Sequence, residues 1–425
     1  MKMQIVVMTL GSRGDLQPFV ALGLGLQNAG YDVLLVSAKN EAAFVAGFGL
    51  KFYPLDVDIQ QLMEGPDVQA MTKGDNPIAF FKSHLKSAKS LKQTTVRVQA
   101  EVWQACQSAD AIVYHPGMAN GYFIACELGI PAIMASPFPV TATADYPAIL
   151  FYNGPRLGRF YNLLTHFIFE KLFWQLSKPA LQTFWEARLQ PGVVTSTAAT
   201  KLQETSGMPV LYGYSERLFK RSAEWSANIH VTGSWAVAAE PAWTAPAALL
   251  DFLRAGPAPV YVGFGSIRDV AGFEAALTLI VAALQATNQR AVIALGWSKM
   301  PTQTALPTTV FLLDSAPHSW LFPQMVAVVH HGGAGTTAAG LRAGKPTVII
   351  PHSADQPAWG RRVYEMGVGA APIPRKKLTA DKLAAAIRFS LTPEIQANAA
   401  ALGQKLRTEN GVENAVRVVD DFLKK

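Results

Sequence analysis

Val328-Val329-His330-His331-Gly332-Gly333-Ala334-Gly335-Thr336-Thr337 is the stretch that decides the fold of this 425-residue chain. It begins as an apolar run, ends that run in two histidines and turns through glycines into residues that can open a helix. A buried strand of a parallel sheet leads into its helix through a turn of this kind. The stretch therefore predicts a strand, a glycine-rich turn and a helix in a parallel α/β sheet.

The same alternation of apolar strands and helices continues on both sides of this stretch. In the second half of the chain it predicts strands at residues 260–264, 291–295, 310–313, 326–329 and 347–350. In the first half it predicts strands at 4–10, 32–37, 50–55, 111–114 and 132–135, a helix at 16–29 and a long helical stretch at 78–106. Strands that alternate with helices form parallel sheets, so the predicted fold class is α/β with two doubly wound units.

The segment 238–246 separates these two groups, because it is rich in alanine and proline and has no periodicity. A chain of this length exceeds what one hydrophobic core usually supports. We therefore predict an N-terminal domain at 1–237, a linker at 238–246 and a C-terminal domain at 247–408. Residues 409–425 include an amphipathic segment, which predicts a terminal helix that packs back on the first domain.

The composition limits the functional classes open to the chain. The formal net charge is +7, but lysine and arginine are scattered without a dense basic run, which argues against a nucleic-acid partner. A basic, apolar-rich protein can instead contact an anionic membrane surface peripherally. The sequence predicts no membrane span, and its first residues are interpreted as a strand and not as a signal peptide. The two cysteines have no CxxC or metal spacing, so we expect a reducing cytoplasm.

The glycines and polar residues of the opening stretch suit a diphosphate. Gly333 and Gly335 allow the backbone to approach phosphate oxygens, and the free N–H groups at a helix start point at bound anions. The helix dipole favours negative charge, while His331 can add a charge-assisted hydrogen bond and Thr336 a hydroxyl donor. Taken alone, such a turn is a weak signal of a phosphate site.

A second polar pair, Asp355-Gln356, follows the predicted strand at 347–350. A carboxylate beside an amide offers sugar hydroxyls both acceptors and donors. The carboxyl ends of parallel strands meet at one edge of a sheet, so two such loops can hold the phosphates and the sugar of one ligand. His330 points away from His331 because adjacent strand residues face opposite sides, and it is interpreted as a structural residue.

Residues 136–185 depart from the α/β rhythm because they are crowded with aromatic side chains. They include Phe138, Tyr146, Phe151, Tyr152, Phe160, Tyr161, Phe167, Phe169, Phe173 and Trp174. Two interpretations stay open: ordinary helix packing, and an apolar pocket for a ligand that is built partly from the same residues.

Together these motifs resemble those of nucleotide-sugar glycosyltransferases, which include plant secondary-metabolite and glycopeptide-antibiotic enzymes. The donor signature is similar from 316–318 through 331–336 to 355–356. The sterol 3-beta-glucosyltransferases resemble the chain more closely and over nearly its whole length. Their pattern is similar to the residues at 9–15, 161–166, 169–170, 173–174, 263–267, 296–298 and 317–324.

The resemblance implies the GT-B fold, in which two Rossmann-like domains face one another across a deep cleft. It implies an apolar acceptor on the N-terminal domain and UDP-glucose, as co-substrate, on the C-terminal domain. The implied reaction is an inverting transfer that forms a β-glucoside on a hydroxyl of a sterol or a sterol-like triterpenoid. Macrolides, flavonoids and glycopeptides are the alternative acceptors.

The resemblance also assigns roles by position. It implies that the diphosphate is bound by His331, Gly333, Gly335 and Thr336, with Ser266 from the opposite loop. It implies that the sugar hydroxyls are bound by Asp355 and Gln356. Ser315 stands where plant relatives carry the tryptophan that stacks on uracil. We therefore expect Trp297 to stack on the base and the backbone of Ala316 to read its edge. The loop Ser12-Arg13-Gly14 is expected at the rim that faces the donor.

The transfer needs a base that takes the proton of the attacking hydroxyl. Asp15 stands where many relatives carry a histidine, and an ordinary aspartate, with a pKa of about 4, is ionised at neutral pH. The alternative is that Asp15 only caps a helix that begins at Leu16. His115, at the end of a predicted strand, is the second candidate, as the base or as a partner of Asp15. A buried structural histidine is the competing interpretation there.

Asp56-Val57-Asp58 has the spacing of the metal-binding DxD of the other major glycosyltransferase fold. The match is weak and lies in the wrong domain for the donor, and a helix start can meet the diphosphate charge instead. We therefore expect no metal and no cofactor beyond the co-substrate. The expected partners are the acceptor and the UDP-sugar, and the chain is expected to be a monomer or weak dimer.

Two rival functions compete with glucosyl transfer, and the first of them uses the same architecture. A nucleotide-sugar epimerase needs no acceptor, and the aromatic-rich middle argues against it because an epimerase has no use for a large apolar pocket. A protein that senses nucleotide sugars without chemistry is the second rival. The presence of Asp15, His331, Asp355 and Gln356 argues against it.

We expect Asp15→Asn to keep donor binding and to lose transfer, because the amide cannot take a proton. General-base catalysis contributes about a hundredfold or more to the rate. Donor affinity is measured by calorimetry and transfer by product formation. Transfer at the normal rate in this variant would show that Asp15 is not the base.

Overall fold

The computed structural model describes residues 2–11, 13–59, 61, 92–185, 188, 199–237, 243–263, 270–296 and 306–424. Ser12, Ser266 and Trp297 lie outside the described residues, as do residues 78–91 of the predicted helical stretch. The chain divides into two compact units. Unit 1 comprises Met1–Val237 with Glu409–Lys425, and unit 2 comprises Ala238–Thr408.

Unit 1 contains a parallel sheet with strand order β3-β2-β1-β4-β5-β6-β7. Its strands are β1 (Gln4–Met8), β2 (Asp32–Ala38), β3 (Lys51–Leu55), β4 (Ala111–Tyr114), β5 (Ala132–Ser136), β6 (Val210–Tyr212) and β7 (Ile229–Val231). Its described helices are α1 (Arg13–Asn28), α2 (Ala42–Ala46), α3 (Lys92–Ala105), α4 (Asn120–Leu128), α5 (Arg159–Trp185) and α6 (Ala199–Thr205), and the terminal helix at Gly411–Leu423 belongs to this unit as well.

Unit 2 contains a second parallel sheet with strand order β10-β9-β8-β11-β12. Its strands are β8 (Val260–Gly263), β9 (Ala291–Ala294), β10 (Val310–Leu313), β11 (Ala327–His330) and β12 (Thr347–Ile349). Its described helices are α7 (Ala247–Arg254), α8 (Val270–Ala286), α9 (His318–Leu321), α10 (Ala334–Arg342), α11 (Gln356–Glu365), α12 (Ala380–Ser390) and α13 (Pro393–Arg407). The terminal helix of unit 1, which follows them in the chain, is α14 (Gly411–Leu423).

The central strands are buried along their whole length because helices cover both faces of each sheet. All four residues of β4 and all four of β11 are buried. In unit 1, Ile5, Val7 and Val113 join the core beneath α1, and in unit 2 Val262 and Val329 join the core beneath α8. Continuous apolar runs were therefore reliable markers of the central strands.

Two local predictions need correction. Helix α1 begins at Arg13, three residues before the expected start at 16, so Asp15 lies inside the first turn and is not the residue that precedes the helix. Strands β6 and β7 were not predicted, because each has three residues and is too short to show a periodicity. The remaining predicted strands agree with the structure to within two residues at each end.

The strand order places one topological switch point in each sheet. In unit 1 the order reverses between β1 and β4, and in unit 2 it reverses between β8 and β11. The backbone N–H of His115 donates to the carbonyl of Met8 at 3.0 Å, so the loops after β1 and β4 start side by side. Open α/β sheets bind their ligands at such points, beyond the carboxyl ends of the strands.

The terminal helix α14 packs against α1 of unit 1. Val412, Val416 and Val419 face the core beneath α1, and the hydroxyl of Tyr31 donates to Asp420 Oδ1 at 2.7 Å. Gly25 of α1 allows the close approach, since a Cβ there would meet Val412 and lie 3.0 Å from Val416 Cγ2. Unit 1 is therefore closed by the last residues of the chain.

We expect Gly25→Ala to destabilise the protein despite the better helix propensity of alanine. Overpacking costs about 1–3 kcal/mol, against a propensity gain of about 1 kcal/mol. Urea unfolding of the wild type, Gly25→Ala, Val412→Ala and the double variant forms a complete cycle. The double variant should recover part of the loss, whereas strictly additive effects would contradict the contact between α1 and α14.

Candidate active site

The turn between β11 and α10 leaves backbone donors at the carboxyl edge of the sheet in unit 2. Gly332 adopts φ of +94°, a left-handed conformation that favours glycine, and its N–H donates to His330 Nδ1 at 2.9 Å. Gly333 is the cap residue of α10 and has no side chain to accept the N–H groups of the first turn, which includes Gly335 and Thr336. Such N–H groups and the positive end of the helix dipole suit a phosphate.

His331 lies directly over this turn. A Cβ on Gly333 would come within 2.6 Å of His331 Nε2, so glycine is required at 333 for the imidazole to occupy this place. Burial lowers the pKa of His331 to about 4, and the ring is neutral at physiological pH. Its Nδ1 is buried and makes no hydrogen bond within the described part of the chain. An anion bound at the helix start would favour protonation of this ring.

Four histidines of unit 2 gather at the same edge, namely His318, His330, His331 and His352. Burial is the main cause that lowers the pKa of each, to about 4 for His318 and about 3 for His352. The ring of His318 stacks on Phe322 with centroids 4.3 Å apart. His330 has no exposed surface, as expected for a structural strand-end residue.

The pair expected to hold sugar hydroxyls follows β12. Gln356 Oε1 accepts the backbone N–H of His352 at 2.7 Å and that of Ser353 at 3.1 Å. The NH₂ group of the same side chain can therefore act as a hydrogen-bond donor to a ligand. Asp355 Oδ2 accepts the indole N–H of Trp359 at 2.7 Å. Ala354 has φ of +54°, a conformation that costs energy for alanine and is typical of functional loops.

Arg375 is a cation near this edge that the sequence analysis did not identify. Its Nη1 lies 3.5 Å from His352 Nδ1, although the two residues are 23 positions apart. The charge of Arg375 contributes to the low pKa of His352. Arginine in a short 3-10 turn, Arg375–Lys377, gives no sequence signal, because only the folded chain brings it beside the loop after β12.

Asp15 lies at the switch point of unit 1, in the first turn of α1. Its carboxylate lies against Gly11, where a Cβ would collide with it. Arg13, predicted to face the donor, places its guanidinium 3.6 Å from buried Glu41 and 4.1 Å from the ring centroid of Phe44. Gly14, between Arg13 and Asp15 in the chain, is exposed. These contacts fix the loop that carries Asp15.

His115 follows β4 and is held as a hydrogen-bond donor. Its Nδ1 accepts the backbone N–H of Gly117 at 3.0 Å, so in the neutral ring the proton is on Nε2. Burial lowers the pKa of His115 to about 4, and the ring packs edge-on against Phe19 and Phe138. A ring in this state has no free lone pair with which to take a proton. His115 is therefore a hydrogen-bond donor in this state, and Asp15 stays the base that the sequence predicts.

An apolar cavity opens beside His115 in unit 1. Its aromatic wall consists of Phe138, Phe169, Phe173 and Trp174, and His166 and Glu204 add polar groups. Burial raises the pKa of Glu204 to about 7. The aromatic side chains of residues 136–185 therefore divide between the two interpretations. Phe138, Phe169, Phe173 and Trp174 line the cavity, whereas Tyr146 and Tyr152 pack against Phe219.

The other residues singled out in the sequence have these positions. Ala316 is partly buried between β10 and α9, at the carboxyl edge that also carries His331. Asp56 of the Asp56-Val57-Asp58 triplet is bound by Lys39 Nζ at 2.7 Å and lies 3.3 Å from Arg97 Nη1. Ser12, Ser266 and Trp297 lie outside the described residues, so their roles stay predictions.

We expect acid to destabilise unit 2 through its neutral histidines. A histidine of the unfolded chain has a pKa of about 6.5, so it binds a proton as the pH falls from about 7.5 to about 5.5. The folded rings stay neutral over this interval, so the free energy of unfolding decreases as the pH falls. Each ring contributes about 1 kcal/mol over this interval. Urea unfolding across it measures the slope. The double variant His331→Gln/His352→Gln should show a weaker dependence of the unfolding free energy on pH. An unchanged dependence would contradict the neutral state of these rings.

Two protein-family models match parts of the chain. Residues 5–147 match the glycosyltransferase family 28 N-terminal domain, and residues 278–419 match the erythromycin biosynthesis protein CIII-like, C-terminal domain. The first match covers the switch point with Asp15 and His115. The second covers the helix start at Gly333 and the loop with Asp355.

Several curated proteins are similar along nearly the whole chain. Sterol 3-beta-glucosyltransferase UGT80A2 of Arabidopsis thaliana is 35% identical over 98% of this chain and 65% of its own length. UGT80B1 of the same plant, also a sterol 3-beta-glucosyltransferase, is 32% identical over 98% of this chain and 67% of its own length. A Cryptococcus neoformans enzyme of that name is 31% identical, and the chain spans 27% of its length.

Solved structures share the fold at low sequence identity. The glycosyltransferase of kitacinnamycin has a TM-score of 0.69 at 20% identity, with all of both chains covered. The calicheamicin glycosyltransferase CalG4 has the same TM-score at 16% identity, covering 100% of this chain and 99% of its own. The two parallel-sheet α/β domains and the similarity to these structures show that the chain has the GT-B fold. The chain therefore belongs to the GT-B glycosyltransferases, in the family that includes the sterol 3-beta-glucosyltransferases.

Proposed function

We propose that this protein transfers glucose from UDP-glucose to the 3-hydroxyl of a sterol or sterol-like triterpenoid and forms a β-glucoside. The aromatic-walled cavity beside His115 carries the proposal, since it offers an apolar acceptor a place next to the switch point that holds Asp15. The names of the relatives, which match 98% of the chain, favour a sterol among apolar acceptors.

The donor would bind at the carboxyl edge of unit 2. The N–H groups at the start of α10 and the ring of His331 would meet the diphosphate, and the amide of Gln356 with Asp355 would meet the sugar hydroxyls. Because the helix start supplies partial positive charge at the leaving UDP, the proposal includes no metal and no further cofactor.

The acceptor would lie in the cavity of unit 1 with its hydroxyl at Asp15. The carboxylate takes the hydroxyl proton while the oxygen attacks the anomeric carbon and the bond to UDP breaks. His115, with its proton on Nε2, can donate to the acceptor oxygen but not accept from it. Attack on the face opposite the leaving group converts an α-linked donor into a β-glucoside.

The partners follow from this chemistry. They are the UDP-sugar, a small apolar acceptor and a membrane surface contacted peripherally, with no nucleic acid. Among the described residues, no helix is long and apolar enough to cross a bilayer. We place the protein in the cytoplasm, as a monomer or weak dimer.

The test is an acceptor panel with UDP-glucose, in the presence and absence of a chelator. We expect UDP release and a steryl hexoside by mass spectrometry, a β-anomeric proton by NMR and no effect of the chelator. Asp15→Asn is the matched inactive control. A flavonoid or macrolide glucoside without a steryl one would overturn the acceptor, and an epimerised sugar from donor alone would replace the transferase with an epimerase.

A further inference from the structure

An apolar stripe lies on the outside of unit 1, at the start of α5. We define the stripe as Leu157, Phe160, Leu163, Leu164 and Phe167, which are 66%, 88%, 38%, 53% and 56% exposed. From Phe160 onward the spacing of three and four residues puts these side chains on one face of the helix. Scattered exposed apolar residues are ordinary, but a contiguous patch of this kind marks an interaction site.

The buried face of the same segment is polar. Asn162 donates from Nδ2 to the carbonyl of Ala144 at 2.7 Å, and Thr165 Oγ1 accepts the N–H of Ala148 at 2.9 Å. His166 Nε2 lies 3.1 Å from the carbonyl of Tyr146. These bonds fix the rotation of the helix, so the stripe cannot turn inward. The polarity is the reverse of that in a helix that packs on a core in water.

Cations border the stripe. Arg156 and Arg159 precede or open the helix and are exposed, and Lys171 places its Nζ 5.6 Å from the ring centroid of Phe167. Arg159 also pairs with Glu224 at the surface. Aromatic and leucine side chains with basic residues at their edge are the composition of helices that lie in the interface of an anionic membrane.

The stripe and the acceptor cavity share one helix. Phe169, Phe173 and Trp174, which line the cavity, follow Phe167 within two turns of α5. We infer that the stripe docks unit 1 on the surface of an anionic lipid bilayer, so that an acceptor dissolved in the bilayer enters the cavity directly. The inference rests on the proposed function for the acceptor, but docking itself requires no catalysis.

Cosedimentation with vesicles of phosphatidylcholine and phosphatidylserine tests the docking. We compare the wild type with Phe160→Ser/Phe167→Ser and with the control Phe389→Ser, which removes an isolated exposed aromatic of unit 2. The double variant should need at least about tenfold more lipid for half-binding, and the control should behave as the wild type. Equal binding of double variant and wild type would overturn the inference.

Transfer assays separate the inference from the proposed function. With the sterol in vesicles, the double variant should lose most of the rate, whereas with the sterol delivered by cyclodextrin it should match the wild type. If no variant and no wild type forms a glucoside but the binding difference persists, the proposed function fails and the docking stands. A wild type that ignores vesicles but forms a dimer that the double variant disrupts would assign the stripe to a second copy of the chain.

Discussion

Burial of both faces of two parallel sheets is the constraint on which the candidate sites depend. Strands such as β4 and β11 are buried along their whole length, and a buried charge or unpaired polar group there would be costly. Polar chemistry is therefore displaced to the loops where strands end. Because the strands of each sheet run the same way, those ends share one edge, and the switch point opens that edge to a ligand.

The two units use this edge in different ways. In unit 2 the edge is rich in backbone donors and in histidines that burial keeps neutral, so its positive character comes from the helix start and from Arg375. In unit 1 the edge carries the carboxylate of Asp15 beside an aromatic-walled cavity. One surface suits a diphosphate and the other suits an apolar molecule with a reactive hydroxyl.

Helix α5 shows how a single element can serve three environments. Its residues reach the core, the cavity and the solvent, and its polar side chains face inward at Asn162 and Thr165 while Phe160 and Phe167 face outward. Aromatic content alone could not separate these roles. The separation depends on the hydrogen bonds to residues 144–148, which set the rotation of the helix.

The sequence by itself determined the parallel α/β units, most strand positions and the glycine-rich turn at Gly333, because apolar runs and glycines act through local backbone geometry. It also supplied the resemblance that leads to the glycosyltransferases. Tertiary structure alone decided the contact of Arg13 with Glu41 and the approach of Arg375 to His352. Each contact joins residues that are distant in the chain, so it leaves no periodic trace in the sequence.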